Sequence, residues 1–266
     1  MAQYPLYSVE GLHLELYDAS LAKPPAPIDG DVDFYLRLSE QYGGHVLELG
    51  CGTGRVAWQL AAAGYDVVGL ELSEAMRSRA EAKRAVHANE VGKRVQFVGG
   101  DMTDFKLTQR FGLIIAPFRA FQHILRPDDQ RRALHCIRRH VLPTGAAVLH
   151  LFDPRLDFLV PGSPGPREPL ELRHPTSGRR IRREVAERRL DEMHQIVEEL
   201  WRETEFTPSG DPTRVEENWL ALRWTYRWEM RYLLELCGFA VEAEYSDFRG
   251  SAPAYGREQI WVARPL

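Results

Sequence analysis

Short apolar runs alternate with amphipathic segments over the first 151 residues, and this alternation restricts the fold more than any other feature of the chain. Each run has four to six residues and is rich in Leu, Val and Ile, as strands buried on both faces of a parallel sheet are. The predicted strands are residues 45–49, 66–71, 95–98, 113–116 and 146–151. The predicted helices between them are residues 55–63, 73–88 and 127–141. The alternation predicts a doubly wound α/β sheet.

The pattern changes after residue 151, where loops rich in Pro and Gly surround a polar stretch from Arg179 to Phe206. The Glu, Ala and Arg content of this stretch favours a helix, whereas its apolar residues at even spacing favour strands. We interpret it as an antiparallel hairpin that turns near Asp191.

The helix–strand pattern then returns towards the end of the chain. A helix is predicted over residues 224–237, and strands are predicted over 240–245 and 259–263. We therefore expect one domain formed by residues 1–151 and 224–266. Residues 152–223 would be an inserted antiparallel β segment.

The segment from Glu48 to Gly54 lies between the first predicted strand and the first predicted helix. Its glycines at alternate positions allow a sharp turn and a close approach of the backbone to a ligand. The following helix presents free amides to an anion. The stretch from Gly52 to Ala57 also satisfies the dinucleotide fingerprint G-x-G-x-x-A. Glu48, however, would repel a pyrophosphate and attract an ammonium. S-adenosylmethionine (SAM) offers a carboxylate for the amides and an ammonium for Glu48.

The segment Glu48–Gly54 resembles the first motif of class I SAM-dependent methyltransferases, and the later strand ends follow that family's order. The resemblance implies a seven-stranded, mainly parallel sheet whose last strand is antiparallel. It implies that Glu71, which lies 19 residues after Gly52, accepts hydrogen bonds from both ribose hydroxyls. It also implies that Asp101 holds the adenine amino group, with the Met102 amide on the ring. The residues assigned to the cofactor site are Tyr17, Glu48, Gly50, Cys51, Gly52, Gly54, Glu71, Leu72, Asp101, Met102 and Pro117.

The motif from Ala116 to His123 stands where this family lines its methyl-transfer site. It departs from the Asn-Pro-Pro-Tyr or Asp-Pro-Pro-Tyr form of many members that methylate DNA or glutamine, which argues against an amide or base-amine acceptor. We expect Phe118 to favour the cationic methyl donor by cation–π attraction. His123 is the candidate catalytic base if the acceptor is a hydroxyl. The residues assigned to the acceptor site are Phe118, Arg119, Gln122 and Trp219.

Members that act on small molecules often carry a lid between the fifth strand and the next helix, where residues 152–223 lie. Tyr17 and Asp18 resemble the short segment that closes over SAM in such members. The resemblance therefore implies an enzyme that methylates N or O of a small molecule. It leaves open the identity of the acceptor, the methylated atom and the use of a general base.

The charge balance argues against nucleic acid or an anionic membrane as an obligatory partner. Lys and Arg total 34 and Asp and Glu total 38, which gives a net charge of −4. No stretch approaches the roughly 18 apolar residues of a membrane span, and the N-terminal residues lack a signal-peptide pattern. We therefore expect a cytoplasmic protein, with an oligomer possible through the insertion.

The cysteine content argues against a disulfide framework and against a metal site. Cys51, Cys136 and Cys237 are odd in number and widely spaced. We expect no bound metal.

Three alternative functions remain open at this stage. A methyltransferase acting on RNA or protein would favour a basic face of one sign, whereas the charges here are mixed. A nicotinamide oxidoreductase is supported by the G-x-G-x-x-A match. A non-catalytic SAM-binding protein shares the same cofactor motifs.

Overall fold

The computed structural model describes residues 6–21, 28–158 and 168–266. They form two compact units, which are described separately. One unit contains residues 28–154 and 224–266, and the other contains the residues up to 21 and those from 155 to 223. The Pro- and Gly-rich stretch at 160–166 lies outside the described residues.

The first unit is built on a seven-stranded sheet. Its strands are β1 (Val46–Leu49), β2 (Val67–Glu71), β3 (Val95–Gly99), β4 (Phe111–Ala116), β5 (Val141–Phe152), β10 (Phe239–Tyr245) and β11 (Glu258–Pro265). They lie in the order β10-β11-β5-β4-β1-β2-β3. The first five strands are parallel, whereas β11 is antiparallel to both β5 and β10. The predicted doubly wound sheet with an antiparallel last strand is confirmed.

Alternating side chains of the parallel strands enter two separate hydrophobic cores, one on each face of the sheet. Leu47 and Ile114 belong to one core, while Val46 and Ile115 belong to the other. Every residue of β1 and β4 is buried. Burial on both faces explains why these strands appear in the sequence as continuous apolar runs.

Helices cover both faces of this sheet. They are α3 (Asp31–Tyr42), α4 (Arg55–Ala62), α5 (Glu74–Ala82), α6 (Asn89–Lys93), α7 (Pro127–His140) and α8 (Arg227–Leu236). Ser73 caps α5, because its Oγ accepts a hydrogen bond of 3.1 Å from the Met76 N–H. Pro127 lies in the first turn of α7, where its missing N–H costs no hydrogen bond.

The predicted helix over residues 73–88 is too long. It ends at Ala82, a 3₁₀ turn follows over Lys83–Val86, and α6 is a separate helix. The Arg84 guanidinium donates to the carbonyls of Gly92 and Val95 and thereby holds the chain as it turns into β3. The carbonyls bound by Arg84 lie after the predicted end of the helix, so helix periodicity alone does not reveal this break.

The second unit contains a four-stranded antiparallel sheet in the order β6-β7-β8-β9. Its strands are β6 (Leu170–Arg173), β7 (Arg180–Asp191), β8 (Ile196–Phe206) and β9 (Pro212–Arg223). The predicted hairpin that turns near Asp191 is therefore confirmed as β7 and β8. The sheet has a small core formed by Leu12, Leu16, Leu172 and Ile181.

The N-terminal helices α1 (Leu12–Glu15) and α2 (Tyr17–Leu21) group with this four-stranded sheet. The sequence analysis assigned them to the domain of the parallel sheet. Polar side chains of α1 explain the grouping, because Glu15 accepts a hydrogen bond from the His174 Nε2 at 2.8 Å and pairs with Arg214. These contacts join residues that are far apart in the sequence, and periodicity does not reveal them. Among the described residues, no helix is long and apolar enough to cross a membrane.

Candidate functional site

The glycine loop, residues 50–54, connects β1 to α4 at the carboxyl edge of the parallel strands. Gly50, Gly52 and Gly54 have φ angles of 64°, 55° and 73°, in the left-handed region that favours glycine. A Cβ on Gly50 would lie 2.8 Å from the Cβ of Ala120, and one on Gly54 would lie 2.7 Å from the Phe97 ring. The backbone path favours glycine at all three positions, and close packing also requires it at Gly50 and Gly54.

Glu71, the last residue of β2, binds the glycine loop and the start of α5. The Gly52 N–H donates to its Oε2 at 2.8 Å, and the Ser73 N–H donates to its Oε1 at 2.7 Å. Burial raises the pKa of Glu71, and these N–H groups oppose the rise. A carboxylate oxygen can accept a second hydrogen bond. Glu71 can therefore hold the loop and still accept from the hydroxyl groups of a ligand.

Glu48 is a buried carboxyl group with an unused hydrogen-bonding oxygen. It lies in β1, is 3% exposed, and its Oε2 has no hydrogen-bond partner among the described residues. Burial raises its pKa to about 8, Arg55 opposes that rise, and Asp31 and Glu71 add to it. Ionised Glu48 is therefore poorly stabilised in the free protein, and a bound cation would favour its charged form.

Asp31 and Arg55 form an ion pair at the starts of α3 and α4 beside this site. The Arg55 Nη1 donates to the Asp31 Oδ1 at 3.0 Å, and Arg55 Nη2 contacts the Asp31 Oδ2. Asp31 is 2% exposed. The sequence analysis did not identify either residue. Arg55 immediately follows the glycine motif, but Asp31 precedes β1 in a helix that the sequence pattern did not predict.

The ends of β2 and β3 are joined where the resemblance places the adenine. The Gly100 N–H donates to the Glu71 carbonyl at 3.1 Å. Asp101 is exposed, and its Oδ1 accepts the Thr103 N–H at 2.8 Å. The second oxygen of this carboxylate can accept a hydrogen bond, and the assignment of Asp101 to the adenine amino group stays a prediction.

Two apolar side chains, Leu72 after β2 and Met102 beside the glycine loop, lie near the expected adenine position. The Met102 Cε lies 3.4 Å from the position that a Cβ on Gly50 would take. Leu72 is 68% exposed although it is a large apolar residue. Such a side chain can pack against the face of a flat ligand ring.

Cys51 has the environment of a packing residue. It is 4% exposed, and burial raises the pKa of its thiol well above the usual value. Its Sγ would lie 2.7 Å from a Cβ on Gly69, so the sulfur fills the space above β2. A buried thiol of raised pKa is a poor nucleophile.

The segment after β4, residues 117–123, approaches the glycine loop through Ala120. Pro117 is buried, and its carbonyl accepts the Ala120 N–H at 3.0 Å. Gln122 is fully buried; its Oε1 accepts the Phe152 N–H at 2.9 Å, and its Nε2 has no partner among the described residues. Phe118 and Arg119 are half-buried.

His123 ends the 3₁₀ turn Ala120–His123 and is exposed. Desolvation by the surrounding protein nevertheless lowers its pKa to about 4. The imidazole is therefore neutral near pH 7 and is a weak base. A neutral imidazole has one ring nitrogen that can accept a hydrogen bond.

Two predicted site residues lie in the unit of the four-stranded sheet. Tyr17 begins α2, and its ring contacts that of Tyr7 edge-to-face with centroids 5.9 Å apart. Trp219 lies in β9, and the Arg189 guanidinium stacks over its ring at 4.2 Å. Their assignments to the cofactor and acceptor sites stay predictions.

Several known proteins that resemble this chain are methyltransferases, which agrees with the SAM site that the sequence motifs predict. Residues 46–145 match a methyltransferase domain family. The cypemycin N-terminal methyltransferase of a Streptomyces species is 32% identical over 143 residues, covering 53% of this chain and 55% of that protein. The dTDP-4-amino-2,3,4,6-tetradeoxy-D-glucose N,N-dimethyltransferase of Saccharopolyspora spinosa is 30% identical over 157 residues, covering 57% of this chain and 60% of that protein. The chain thus spans little more than half the length of these curated relatives.

A solved structure matches over most of its length. The CcbJ methyltransferase from Streptomyces caelestis has a TM-score of 0.70 and 25% identity, covering 92% of this chain and 98% of that chain. The doubly wound sheet with its glycine loop defines a class I methyltransferase fold. The resemblance to class I SAM-dependent methyltransferases is confirmed, because residues 46–145 match a methyltransferase domain and the CcbJ methyltransferase shares the fold.

Proposed function

We propose that this protein transfers the methyl group of SAM to a nitrogen of a small molecule such as an amino sugar. The observation that carries the proposal is the buried Glu48 carboxyl, whose Oε2 has no partner among the described residues, at the start of a glycine loop. The two curated relatives support the nitrogen acceptor, because one is an N-terminal methyltransferase and the other an amino-sugar N,N-dimethyltransferase.

The residues of the site fit SAM. An ammonium would satisfy the Glu48 Oε2, and the loop amides beside Gly50, Cys51, Gly52 and Gly54 suit a carboxylate. Glu71 would accept from the ribose hydroxyls. The adenine would lie between Leu72 and Met102, with its amino group on Asp101 and Pro117 nearby. SAM, when bound, supplies a methyl group activated by a sulfonium.

The residues after β4 would align the acceptor and exclude water. The Phe118 ring would stabilise positive charge at the sulfonium by cation–π attraction. The neutral His123 ring nitrogen would accept a hydrogen bond from an amine N–H and so orient the nitrogen lone pair. An unprotonated amine is already nucleophilic and needs no strong base in the site, whereas a hydroxyl does.

Roles for Gln122 and Trp219 at the acceptor, and for Tyr17 in closing over SAM, are part of the same proposal. Residues 152–223 would serve as a lid. A cytoplasmic location, the lack of a nucleic-acid partner and an oligomer through the insertion stay predictions from the sequence.

The test is a methyl-transfer assay on the purified full chain. It is incubated with SAM and nucleotide-linked amino sugars, peptides with free N-termini, or the matched hydroxyl compounds. We expect mass spectrometry to show methylation of amino sugars and not of their hydroxyl counterparts. The matched control is Glu48→Gln, which keeps the shape but cannot carry the charge. Methylation confined to hydroxyls would contradict the nitrogen acceptor. Methylation confined to peptides would contradict an amino sugar as the substrate. Binding of NADH without binding of SAM would exclude methyl transfer.

A further inference from the structure

Two consecutive residues beside the glycine loop have strained backbones. Phe118 and Arg119 have φ angles of 46° and 66°, and neither is glycine. Among the described residues, the one other non-glycine residue with a positive φ is Gln195, next to the tip of the β7–β8 hairpin. Strain of this kind persists where the surrounding structure holds it, and it concentrates at functional sites.

His150 of β5 holds both strained residues. The Phe118 N–H donates to the His150 Nδ1 at 3.1 Å, and the Arg119 N–H donates to the His150 carbonyl at 3.1 Å. The His150 side chain is fully buried, and its ring packs edge-to-face on Phe248 with centroids 4.8 Å apart. One residue therefore satisfies both backbone amides of the strained pair.

Glu258 connects this histidine to the side chain of Arg119. Its Oε2 lies 2.9 Å from the His150 Nε2, and its Oε1 accepts from the Arg119 Nη2 at 2.8 Å. The guanidinium also stacks over Phe152 at 5.2 Å. Arg119 and Glu258 are 19% and 17% exposed, so water weakens this ion pair little. Arg119 is therefore held twice, at its backbone by His150 and at its side chain by Glu258.

The topology of the sheet explains how Glu258 reaches the site. It is the first residue of β11 and pairs with Phe152 at the end of β5. Because β11 is antiparallel to β5, its beginning lies at the carboxyl edge of the parallel strands, where ligands of such sheets bind.

The contacts define the tautomer of His150. Its Nδ1 accepts the Phe118 N–H and so carries no proton, which leaves the proton on Nε2 to be donated to Glu258. A doubly protonated ring would place an N–H against the Phe118 N–H. The network therefore needs a neutral imidazole.

We propose that His150 and Glu258 are positioning residues for methyl transfer. They fix the strained Phe118–Arg119 pair, and this pair forms the surface that aligns the acceptor. The assignment rests on the proposed function. It gives Arg119 a role in the same network, because its guanidinium is already paired with Glu258. An in-line displacement depends on alignment, so a small shift of this segment slows the chemical step more than it weakens binding.

The test compares His150→Leu, His150→Asn and Glu258→Ala in the full chain. We expect kcat for the amine acceptor to fall roughly 10- to 100-fold in His150→Leu and Glu258→Ala, while the Kd for SAM by calorimetry changes less than about threefold. His150→Asn should retain more activity than His150→Leu, because its side-chain oxygen can still accept the Phe118 N–H. Val262→Ala, a buried substitution elsewhere in β11, is the control for a general loss of stability.

A readout that does not depend on turnover is the nitrogen chemical shift of His150. We expect the shifts to show the neutral Nε2–H form near pH 7 in the free protein. In Glu258→Ala we expect the shift of Nε2 to change, because its hydrogen bond to Glu258 is lost. A cationic or Nδ1–H ring would overturn the assignment, as would unchanged kcat in both severe variants of an active enzyme. A wild-type protein that transfers no methyl group would overturn the proposed function itself, and the assignment with it.

Discussion

Two buried carboxyl groups, Glu48 in the parallel sheet and Glu203 in the four-stranded sheet, differ in what surrounds them. Glu203 is fully buried, and its Oε1 accepts hydrogen bonds from the His13 Nδ1 at 2.8 Å and the Arg183 Nε at 2.9 Å. Burial alone would raise the pKa of Glu203, but His13 and Arg183 keep it below the usual value. The pKa of Glu48, in contrast, is raised to about 8.

The difference separates a buried acid that the fold itself compensates from one that we propose binds a ligand. The Oε2 of each carboxyl group has no hydrogen-bond partner among the described residues, so the difference lies in the charge: the chain supplies Glu203 with its own cation, Arg183. Glu48 has Arg55 nearby, but Asp31 and Glu71 offset it. A buried carboxyl group without a compensating cation is costly to ionise, and a strongly raised pKa of this kind marks a candidate functional residue.

The largest expected effect is on the compensated acid. Glu203→Ala should lower the stability of the four-stranded unit by about 3–5 kcal/mol, because it leaves the Arg183 charge buried and unpaired. The measurement is hydrogen exchange of peptides from β7 and β8, which reports that unit separately from the parallel sheet. The double variant Glu203→Leu with Arg183→Met should be less destabilised than the single one. Equal losses in both would contradict the pairing.

At the glycine loop of the parallel sheet we expect a substitution to weaken SAM binding strongly without unfolding the protein. Gly52→Val should weaken SAM binding roughly 100-fold or more, since a β-branched residue resists a φ of 55°. Gly64→Val is the matched control, because Gly64 also has a positive φ and a Cβ there would meet nothing within 4 Å. Calorimetry of both variants separates backbone strain from the cofactor site. Wild-type affinity in Gly52→Val would make the loop a structural turn.

Glu71→Ala should have a smaller effect on the same site. Removing the carboxylate takes away the expected ribose contacts and releases the Gly52 N–H, which should weaken SAM binding by about 1.5–3 kcal/mol. Glu74→Ala, an exposed acid in the first turn of α5, controls for the change in net charge. If both variants bind SAM equally well, Glu71 acts on the loop alone.

The affinity for SAM should also depend on pH through Glu48. Its pKa is about 8 in the free protein, and a bound ammonium would lower it, so binding releases a proton and strengthens as the pH rises. We expect up to about a tenfold gain per pH unit between roughly pH 6 and 7.5. Glu48→Gln should bind more weakly and lose this dependence. A dependence that survives in Glu48→Gln would arise from another group.

The sequence predicted the parallel sheet because its residues are buried on both faces, which leaves a clear apolar pattern. It also singled out Glu48 with the adjacent glycine loop, and Glu71 at the end of the next strand, because each follows a recognisable strand in the order of the family's motifs. The roles of Asp31 and Glu258 were not predictable in this way. Glu258 meets His150 across 108 residues, and the meeting depends on the direction of β11 and not on any local spacing.

The smallest effect on stability is expected at Arg202, the residue next to Glu203. Arg202 precedes Glu203 in β8 but points to the opposite face, where its Nε donates to Glu217 at 2.6 Å with both side chains about 40% exposed. Water screens such a pair, so Arg202→Ala should change the stability of the unit by less than about 1 kcal/mol. Hydrogen exchange of the same β7 and β8 peptides allows a direct comparison with Glu203→Ala. A loss as large as that of Glu203→Ala would mean that the charged face of this sheet carries its stability, and the distinction between compensated burial and solvated pairing would fail.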